Sequence, residues 1–186
     1  MDEEQLRAIT VGELTPYETK VVIADYDPAW PDWFEWDRAR IAEALGPIAL
    51  SIDHAGSTSV PGLPAKPIID ILLQVDDSAD EDAYVPALEA AGYTLRVREP
   101  EWLEHRLLRR RDEPHDVNLH VFSPRHAAEE IHRMLAFRDW LRTNDADRDL
   151  YASTKRALST REWRYVQDYA DAKSEVVQQI LTRALA

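Results

Sequence analysis

Hydrophobic and polar residues alternate differently in the two parts of the chain, which meet near Pro124. Upstream, short apolar runs separated by Gly, Pro, Asp and Asn are typical of strands. We predict strands over residues 20–26, 48–54, 67–75, 93–97 and 116–122, and a strand-like segment within 101–110. Downstream, apolar residues recur at helical intervals, which predicts amphipathic helices. We predict helices over residues 29–45, 81–91, 124–144, 147–158 and 162–185. The pattern indicates an α/β (α+β) fold in which a mixed sheet precedes a helical part.

The first long helix has recognisable start and stop signals. Asp27 is a typical N-cap, followed by proline at the first helical position, and Gly46 is typical of a helix end. Trp33 and Trp36 fall at near-helical intervals, which predicts that they pack in the core. An aromatic platform for a ligand is the alternative.

The length of 186 residues suits one compact domain with a helical extension. Residues 1–19 are acidic and weakly patterned, and we interpret them as a flexible leader. We assign residues 20–123 to an α/β core and residues 124–186 to a C-terminal helical subdomain packed on that core.

Composition limits the kind of partner. The formal charge of −13 disfavours nonspecific binding to nucleic acid or to an anionic membrane. The absence of cysteine excludes disulfides and thiolate metal sites. The first ten residues resemble no secretory signal, and no apolar run reaches the roughly 20 residues that span a bilayer. We expect a cytoplasmic protein of undetermined oligomeric state.

A single carboxylate interrupts the most apolar predicted strand, which we expect to be buried on both faces. Asp70 lies between Ile69 and Ile71 in that strand. An ionised carboxylate among apolar neighbours has a large desolvation cost, so a metal ion or a cationic ligand is expected to compensate it.

A loop of small hydroxyl residues precedes this strand. Gly56 permits a close turn, and the hydroxyls and amides of Ser57, Thr58 and Ser59 suit phosphate oxygens. An ordinary surface loop is the alternative. Asp70, thirteen residues after Ser57, favours the phosphate interpretation, because a strand carboxylate beside a phosphate loop suits Mg²⁺-assisted phosphoryl or nucleotidyl transfer.

Basic residues supply candidate phosphate ligands. The densest basic segment of this acidic chain consists of Arg106, Arg109, Arg110 and Arg111, and guanidinium groups bind phosphate in a bidentate manner. A solvated charge run explains them nearly as well. Lys66 either reaches phosphate or forms an ion pair with Asp70.

Two histidines are further candidates. His120 shares a strand face with Asn118 and could complete a metal site with Asp70 or act as a base. The alternative is a histidine satisfied within the sheet. His54, directly before the glycine loop, could be a ligand, a base or a turn residue.

The stretch from His54 to Ile71, with His-Ala-Gly-Ser-Thr-Ser and Lys-Pro-Ile-Ile-Asp, closely resembles the signature of the GrpB family, bacterial proteins assigned to the nucleotidyltransferase superfamily. Tyr26-Asp-Pro-Ala-Trp-Pro resembles the family's opening segment, Asn118-Leu-His-Val its later strand and Phe137-Arg-Asp-Trp-Leu-Arg its first long C-terminal helix. Lys155, Tyr169 and Lys173 match its helical Tyr/Lys pattern and are candidate substrate contacts, with His54 and Asn118. Some family members are fused to dephospho-coenzyme A kinase.

The resemblance implies a nucleotidyltransferase-like core and, as the leading interpretation, a transferase that uses Mg²⁺ and an NTP such as ATP to modify a small acceptor. Two departures bear on this. Leu72 stands where such enzymes carry a second carboxylate, and Asn118 stands where many members have histidine. The alternatives are a noncatalytic nucleotide- or coenzyme-binding module and an adenylate-forming, ligase-like enzyme.

Overall fold

A computed structural model of the chain describes residues 3–14, 21–163 and 166–186, except the side chains of residues 166 and 167. The helices of this part are α1 (Glu3–Ile9), α2 (Trp30–Leu45), α3 (Val85–Ala90), α4 (Pro124–Thr143), α5 (Asp145–Ser159), α6 (Val166–Asp171) and α7 (Ser174–Ala184). The strands are β1 (Ser51–Ala55), β2 (Ile68–Gln74), β3 (Thr94–Glu99), β4 (His105–Asp112) and β5 (His115–Phe122). The predicted α/β class, with helices following the sheet, is confirmed.

The five strands form one mixed sheet in the order β1-β2-β5-β4-β3. Only β2 and β5 are parallel to each other, and the remaining neighbours are antiparallel. The register places Asp70 of β2 directly opposite Ala55 of β1 on one side and Asn118 of β5 on the other. Residues that pair directly point to the same face of a sheet, so this register fixes which side chains share a face with Asp70.

The face opposite Asp70 carries the main hydrophobic core. Ile69 and Ile71 of β2 are fully buried against α2 and α3, together with Ile41 and Leu88 from those helices. Since β2 alternates between this core and the Asp70 face, its continuous apolar sequence reflects burial on both sides, as predicted.

The face of Asp70 is covered in part by the C-terminal helices. Leu72 is fully buried with Phe122 and with Ala127 and Ile131 of α4. A second cluster joins α4, α5 and α7 to the loop after β1 through buried side chains such as Val60. These helices leave open the part of the face that contains Asp70, whose side chain is 31% exposed.

A buried polar network joins α2 to the sheet. The carboxylate of Asp37 accepts hydrogen bonds from Tyr93 Oη at 2.5 Å and from Arg110 Nη2 at 3.0 Å, and it contacts His115 Nε2 at 2.5 Å. Asp37 is completely buried, so the charge of Arg110 and the hydrogen bonds together compensate its desolvation.

Some predicted elements differ from the structure. Residues 21–26 form no regular strand: Ala24 makes an isolated bridge with Ala65, and residue 20 lies outside the described residues. The N-cap of α2 is Ala29 and not Asp27, whose Oδ1 accepts from the Ala29 amide before the helix begins. The buried stripe of α2 consists of Trp30, Phe34, Asp37, Ile41 and Leu45, with Trp33 packed beside it, and Trp36 lies outside this stripe and is 45% exposed.

Two predicted helices are interrupted. The segment 162–185 contains α6 and α7, separated at Ala172 and Lys173, and the segment 81–91 begins as a short 3₁₀ turn before α3. A proline at the start of α3 explains the second interruption, because proline cannot donate a helical hydrogen bond from an interior position.

The N-terminal residues contain a short helix. Leu6 of α1 is buried. Thr10, directly after the helix, forms an isolated bridge with Val97 of the edge strand β3. The boundaries proposed at residues 19 and 123 stay predictions. Within the described ranges, no helix is both long and apolar enough to pass through a lipid bilayer.

Candidate functional site

Asp70 lies at the centre of the open part of its sheet face. Its Oδ1 accepts from Asn118 Nδ2 at 2.9 Å, and His120 Nε2 lies 3.8 Å from the same oxygen. Burial alone would raise the pKa of Asp70, but the interactions with His120 and Asn118 outweigh it and lower the pKa. The carboxylate is therefore charged at neutral pH.

Gly56 allows the loop after β1 to lie directly against this carboxylate. Its φ of 64° is in the left-handed region, and a Cβ at this position would lie 2.8 Å from Asp70 Cβ. Only glycine combines that backbone angle with such a close approach. The predicted proximity of the glycine loop to Asp70 is a feature of the fold.

Lys155 of α5 ties the loop to the helical part. Its Nζ donates to Ser57 Oγ at 3.0 Å and to the carbonyl of Pro64 at 2.5 Å, and lies 4.5 Å from the centre of the Tyr151 ring. Burial, followed by repulsion from Lys173, lowers the pKa of Lys155 to about 7. An amine with this pKa gains charge readily when an anion arrives.

Lys66 and Lys173 lie against the ring of Tyr169. The Nζ of Lys66 is 5.7 Å from the ring centre and that of Lys173 is 4.6 Å from it. Burial and the charge of Lys173 lower the pKa of Lys66 to about 8. Tyr169 itself is buried and serves as a platform that holds two cations near Asp70.

The arginines of β4 are divided between the two faces of the sheet. Arg109 pairs with Asn118 in the register and lies on the Asp70 face, and burial lowers its pKa to about 10. Arg106 and Arg110 lie on the opposite face, where Arg106 Nε donates to Glu81 at 2.6 Å and Arg110 pairs with Asp37. These two arginines do not contact the site around Asp70, because side chains alternate along a strand and theirs point to the opposite face.

Three other candidates also point away from the open site. His54 is buried, stacks on Phe34 at 4.7 Å and shares a 3.0 Å hydrogen bond with Thr58 Oγ1, and burial lowers its pKa to about 4. Ser59 Oγ donates to the carbonyl of Gly56 at 2.6 Å. These side chains pack under the loop and stabilise its conformation. Ser57 is the hydroxyl residue that faces the cleft, beside Gly56.

Arg111, the last member of the predicted basic segment, lies beside Asn118. Its Nη2 donates to Asn118 Oδ1 at 2.7 Å and its Nη1 donates to the carbonyl of Val117 at 2.6 Å. It follows Arg109 by two residues and therefore shares its face. The alternation along β4 would have separated Arg109 and Arg111 from Arg106 and Arg110 if the strand register had been assigned.

A chain of polar contacts extends from His120, and sequence reasoning missed it. His120 Nδ1 lies 3.1 Å from His105 Nε2, and His105 Nδ1 lies 2.6 Å from Glu99 Oε2. Burial lowers the pKa of His105, so this ring is neutral. Glu99 then accepts from His105 Nδ1, His105 Nε2 accepts from His120 Nδ1, and Nε2 of His120 faces Asp70.

The donor set around Asp70 does not fit Mg²⁺, which prefers several oxygen ligands. The position of a second carboxylate is taken by the buried Leu72, and the oxygen of Asn118 accepts from Arg111. Within the described ranges, no group of three His, Asp or Glu side chains is arranged to hold a metal. The predicted metal ligands Asp70 and His120 are close together but lack further acidic partners.

An apolar cavity of about 190 Å³ opens beside Gly56 and Ser57. Its wall includes Phe137 and Tyr151, which pack edge to face at 5.3 Å. The other lining residues are Val60, Arg133, Met134, Arg138, Leu141 and Val177. The cavity thus lies between the loop and helices α4, α5 and α7, next to Lys155, which contacts both Ser57 and Tyr151.

Comparison with known proteins places the chain in a family. The family model described as GrpB protein matches residues 20–183. The UPF0157 protein BH1888 of Halalkalibacterium halodurans is 58% identical over 184 residues, which cover 99% of this chain and 92% of that protein. A crystal structure of the conserved protein GrpB from Enterococcus faecalis has a TM-score of 0.76 at 32% identity, covering 88% of this chain and 97% of the other.

A dephospho-CoA kinase of Mycolicibacterium paratuberculosis contains a related segment. It is 31% identical over 159 residues, which cover 73% of this chain and 39% of the kinase. The match to a part of a longer protein agrees with the fusion that the sequence resemblance implied.

Proposed function

The chain belongs to the GrpB family, and we propose that its Asp70 site binds a nucleoside triphosphate, ATP in first place, and transfers the nucleotidyl group to a small acceptor. The observation that carries the proposal is the position of Ser57. It directly follows Gly56, which lies against Asp70, and its Oγ accepts a hydrogen bond from the buried amine of Lys155. A close-approaching glycine loop, a fixed hydroxyl and a cation are groups that bind phosphate oxygens.

The proposed reaction assigns a role to each of these polar groups. A hydroxyl oxygen of the acceptor attacks the α-phosphorus, the bond from that phosphorus to the bridging oxygen breaks, and pyrophosphate leaves. His120 Nε2, whose ring is held in place by the contact of its Nδ1 with His105, takes the hydroxyl proton. Lys155 and Lys66 stabilise the charge that develops on the leaving phosphate. Asp70 lies 3.8 Å from His120 and stabilises the resulting imidazolium.

The apolar cavity is the proposed place of the acceptor. It adjoins Ser57, so a molecule bound there would present its polar end to the nucleotide. The aromatic pair Phe137 and Tyr151 favours an acceptor with a flat or apolar portion.

Pyrophosphate release tests the transfer. The protein is incubated with each ribonucleoside triphosphate and a small-molecule cell extract as the source of acceptors. We expect release by the unaltered protein, and a loss of about 100-fold or more in His120→Gln, which removes the base. His126→Gln, an exposed histidine of α4, is the matched control. Unchanged release by folded His120→Gln or Asp70→Ala would contradict the proposal.

A second candidate is a noncatalytic module that binds a nucleotide or a coenzyme. The burial of Leu72 among apolar side chains favours it, because no carboxylate stands there to assist transfer. The partial match to a protein named dephospho-CoA kinase is compatible with a coenzyme ligand. Calorimetry with ATP, GTP and coenzyme A separates the candidates: binding without pyrophosphate release under any condition favours the module.

A further inference from the structure

Five basic side chains of the described residues interact with the carboxylate of Asp70, in a protein whose formal charge is −13. They are Lys66, Arg109, Arg111, Lys155 and Lys173. The set includes three of the four lysines of the chain. Such a concentration of positive charge is not a by-product of composition, because the chain as a whole is strongly acidic.

The cations repel one another in the free protein. Lys173 disfavours the charged forms of both Lys66 and Lys155, and Arg111 disfavours that of Arg109. Asp116 lies 3.4 Å from Arg111 Nε, and Asp70 favours the charged forms of Lys66, Lys155, Arg109 and Arg111. A bound anion with several charges would relieve the repulsion among the basic groups.

The cationic groups are also held in place. Lys155 is fixed by Ser57 and Pro64, Lys173 and Lys66 lie against Tyr169, and Arg111 is fixed by Asn118. The Nε of Arg109 is buried without a hydrogen-bond partner. A buried donor without a partner has an energetic cost that a ligand oxygen can remove.

A magnesium-bound triphosphate fits this site less well than a free one. Mg²⁺ needs oxygen ligands from the protein or hydrating water, and among the residues that the structure describes no group of three His, Asp or Glu side chains is arranged to hold it. Placing a divalent cation among five fixed cations adds repulsion. The lysines and arginines already provide the charge neutralisation that a metal supplies in other phosphate sites.

We propose that the Asp70 site binds the polyphosphate of its nucleotide as a metal-free anion, with Lys66, Lys155, Lys173, Arg109 and Arg111 in place of the divalent cation. This inference rests on the proposed nucleotide-binding function and adds the ionic form of the ligand.

Calorimetry on the full chain tests it, with ATP and inorganic triphosphate as probes. Each is titrated at fixed ionic strength in excess EDTA and in excess Mg²⁺. We expect a Kd in EDTA equal to or lower than that in Mg²⁺, and similar behaviour of both probes. A Kd at least tenfold higher in EDTA would overturn this inference and leave the nucleotide proposal intact. Absence of binding under both conditions would overturn both.

Charge variants supply the second measurement. Lys173→Met removes a partly exposed cation, and we expect it to raise the Kd for triphosphate in EDTA about tenfold, as for the loss of a charged contact. The dependence of the Kd on salt concentration should become weaker as well. Arg125→Gln, which removes an exposed cation paired with Asp76, is the matched control. Equal effects of the two substitutions would contradict the role of the cluster.

Discussion

Lys155 of α5 donates from its Nζ to Ser57 Oγ at 3.0 Å, although 98 positions separate the two residues in the chain. The contact joins the helical part to the loop that follows β1. Because the same amine also donates to the carbonyl of Pro64, it is held from two sides and cannot turn toward solvent. The loop and the helix thus form one site rather than two separate features.

Replacement of this amine should weaken nucleotide binding. We expect Lys155→Met to raise the Kd for ATP about tenfold or more, because a hydrogen bond from a charged donor contributes about 1.5–3 kcal/mol. Calorimetry in EDTA measures the change. Arg148→Met, on the same helix and paired with Asp145, is the control and should leave the Kd unchanged.

Since Lys155 is buried, the fold of the variant is checked by its thermal transition, and Ser57→Ala provides a milder change at the same contact. We expect Ser57→Ala to raise the Kd as well, without a large change in Tm. If both variants are folded and bind ATP as the unaltered protein does, Lys155 and Ser57 are not phosphate contacts.

Nucleotide affinity should decrease as the pH rises from 6 toward 9. In the free protein the pKa of Lys155 is about 7 and that of Lys66 is about 8. A polyphosphate stabilises their charged forms and raises both pKa values, so binding near pH 7.5 takes up protons.

Calorimetry in two buffers of different ionisation enthalpy measures this uptake. We expect net uptake of protons by the unaltered protein, and a smaller uptake by Lys155→Met. Proton release on binding, or an affinity that rises with pH, would show that these lysines do not contact the anion.

Gly56→Ala should destabilise the protein and impair the site. The substitution combines an unfavourable φ of 64° with a Cβ only 2.8 Å from Asp70 Cβ. Gly62→Ala is a matched control, since its φ is 77° and an added Cβ there meets no atom within 4 Å. We expect the control to lose about 1 kcal/mol of stability from backbone strain alone, and Gly56→Ala to lose more. Urea unfolding measures both, and equal losses would contradict the close approach of loop and carboxylate.

Asp37→Ala should be strongly destabilising without altering the nucleotide site directly. It removes the buried carboxylate that pairs with Arg110, which keeps only its contact with the exposed Asp112, and breaking a buried ion pair costs about 3–5 kcal/mol. Urea unfolding gives the change in the free energy of unfolding. Glu35→Gln, which removes an exposed carboxylate of the same helix paired with Arg38, should change stability by less than about 0.5 kcal/mol. If Asp37→Ala lowers the free energy of unfolding by as little as Glu35→Gln does, the buried network is not essential to the fold.

Much of the architecture could be predicted from local patterns. The apolar run around Asp70, the alternation of β5 and the helical periodicity after Pro124 each reflect burial on a face, and burial is what those periodicities record. The sequence also located Asp70 and the Gly56 loop as neighbours, because a short connection between antiparallel strands keeps them close.

The faces of the arginines could not be predicted in the same way. Arg106, Arg109 and Arg110 look equivalent in a run of basic residues, and strand register alone decides that Arg109 faces Asp70 while Arg106 and Arg110 meet carboxylates on the other side. A shift of the register by one residue would exchange the two sets. The contacts of His105 and Glu99 with His120 depend on the same pairing.

The sequence by itself determined the family, the α/β class and the position of a charged residue within a buried strand. Tertiary structure decided which charges surround that residue. Lys66, Lys155 and Lys173 come from distant parts of the chain. The small number of lysines in the sequence does not predict that these three lie close together. Periodicity is a local property that burial imposes on each element, whereas a cluster of cations depends on the packing of α5 and α7 against α4 and the loop after β1.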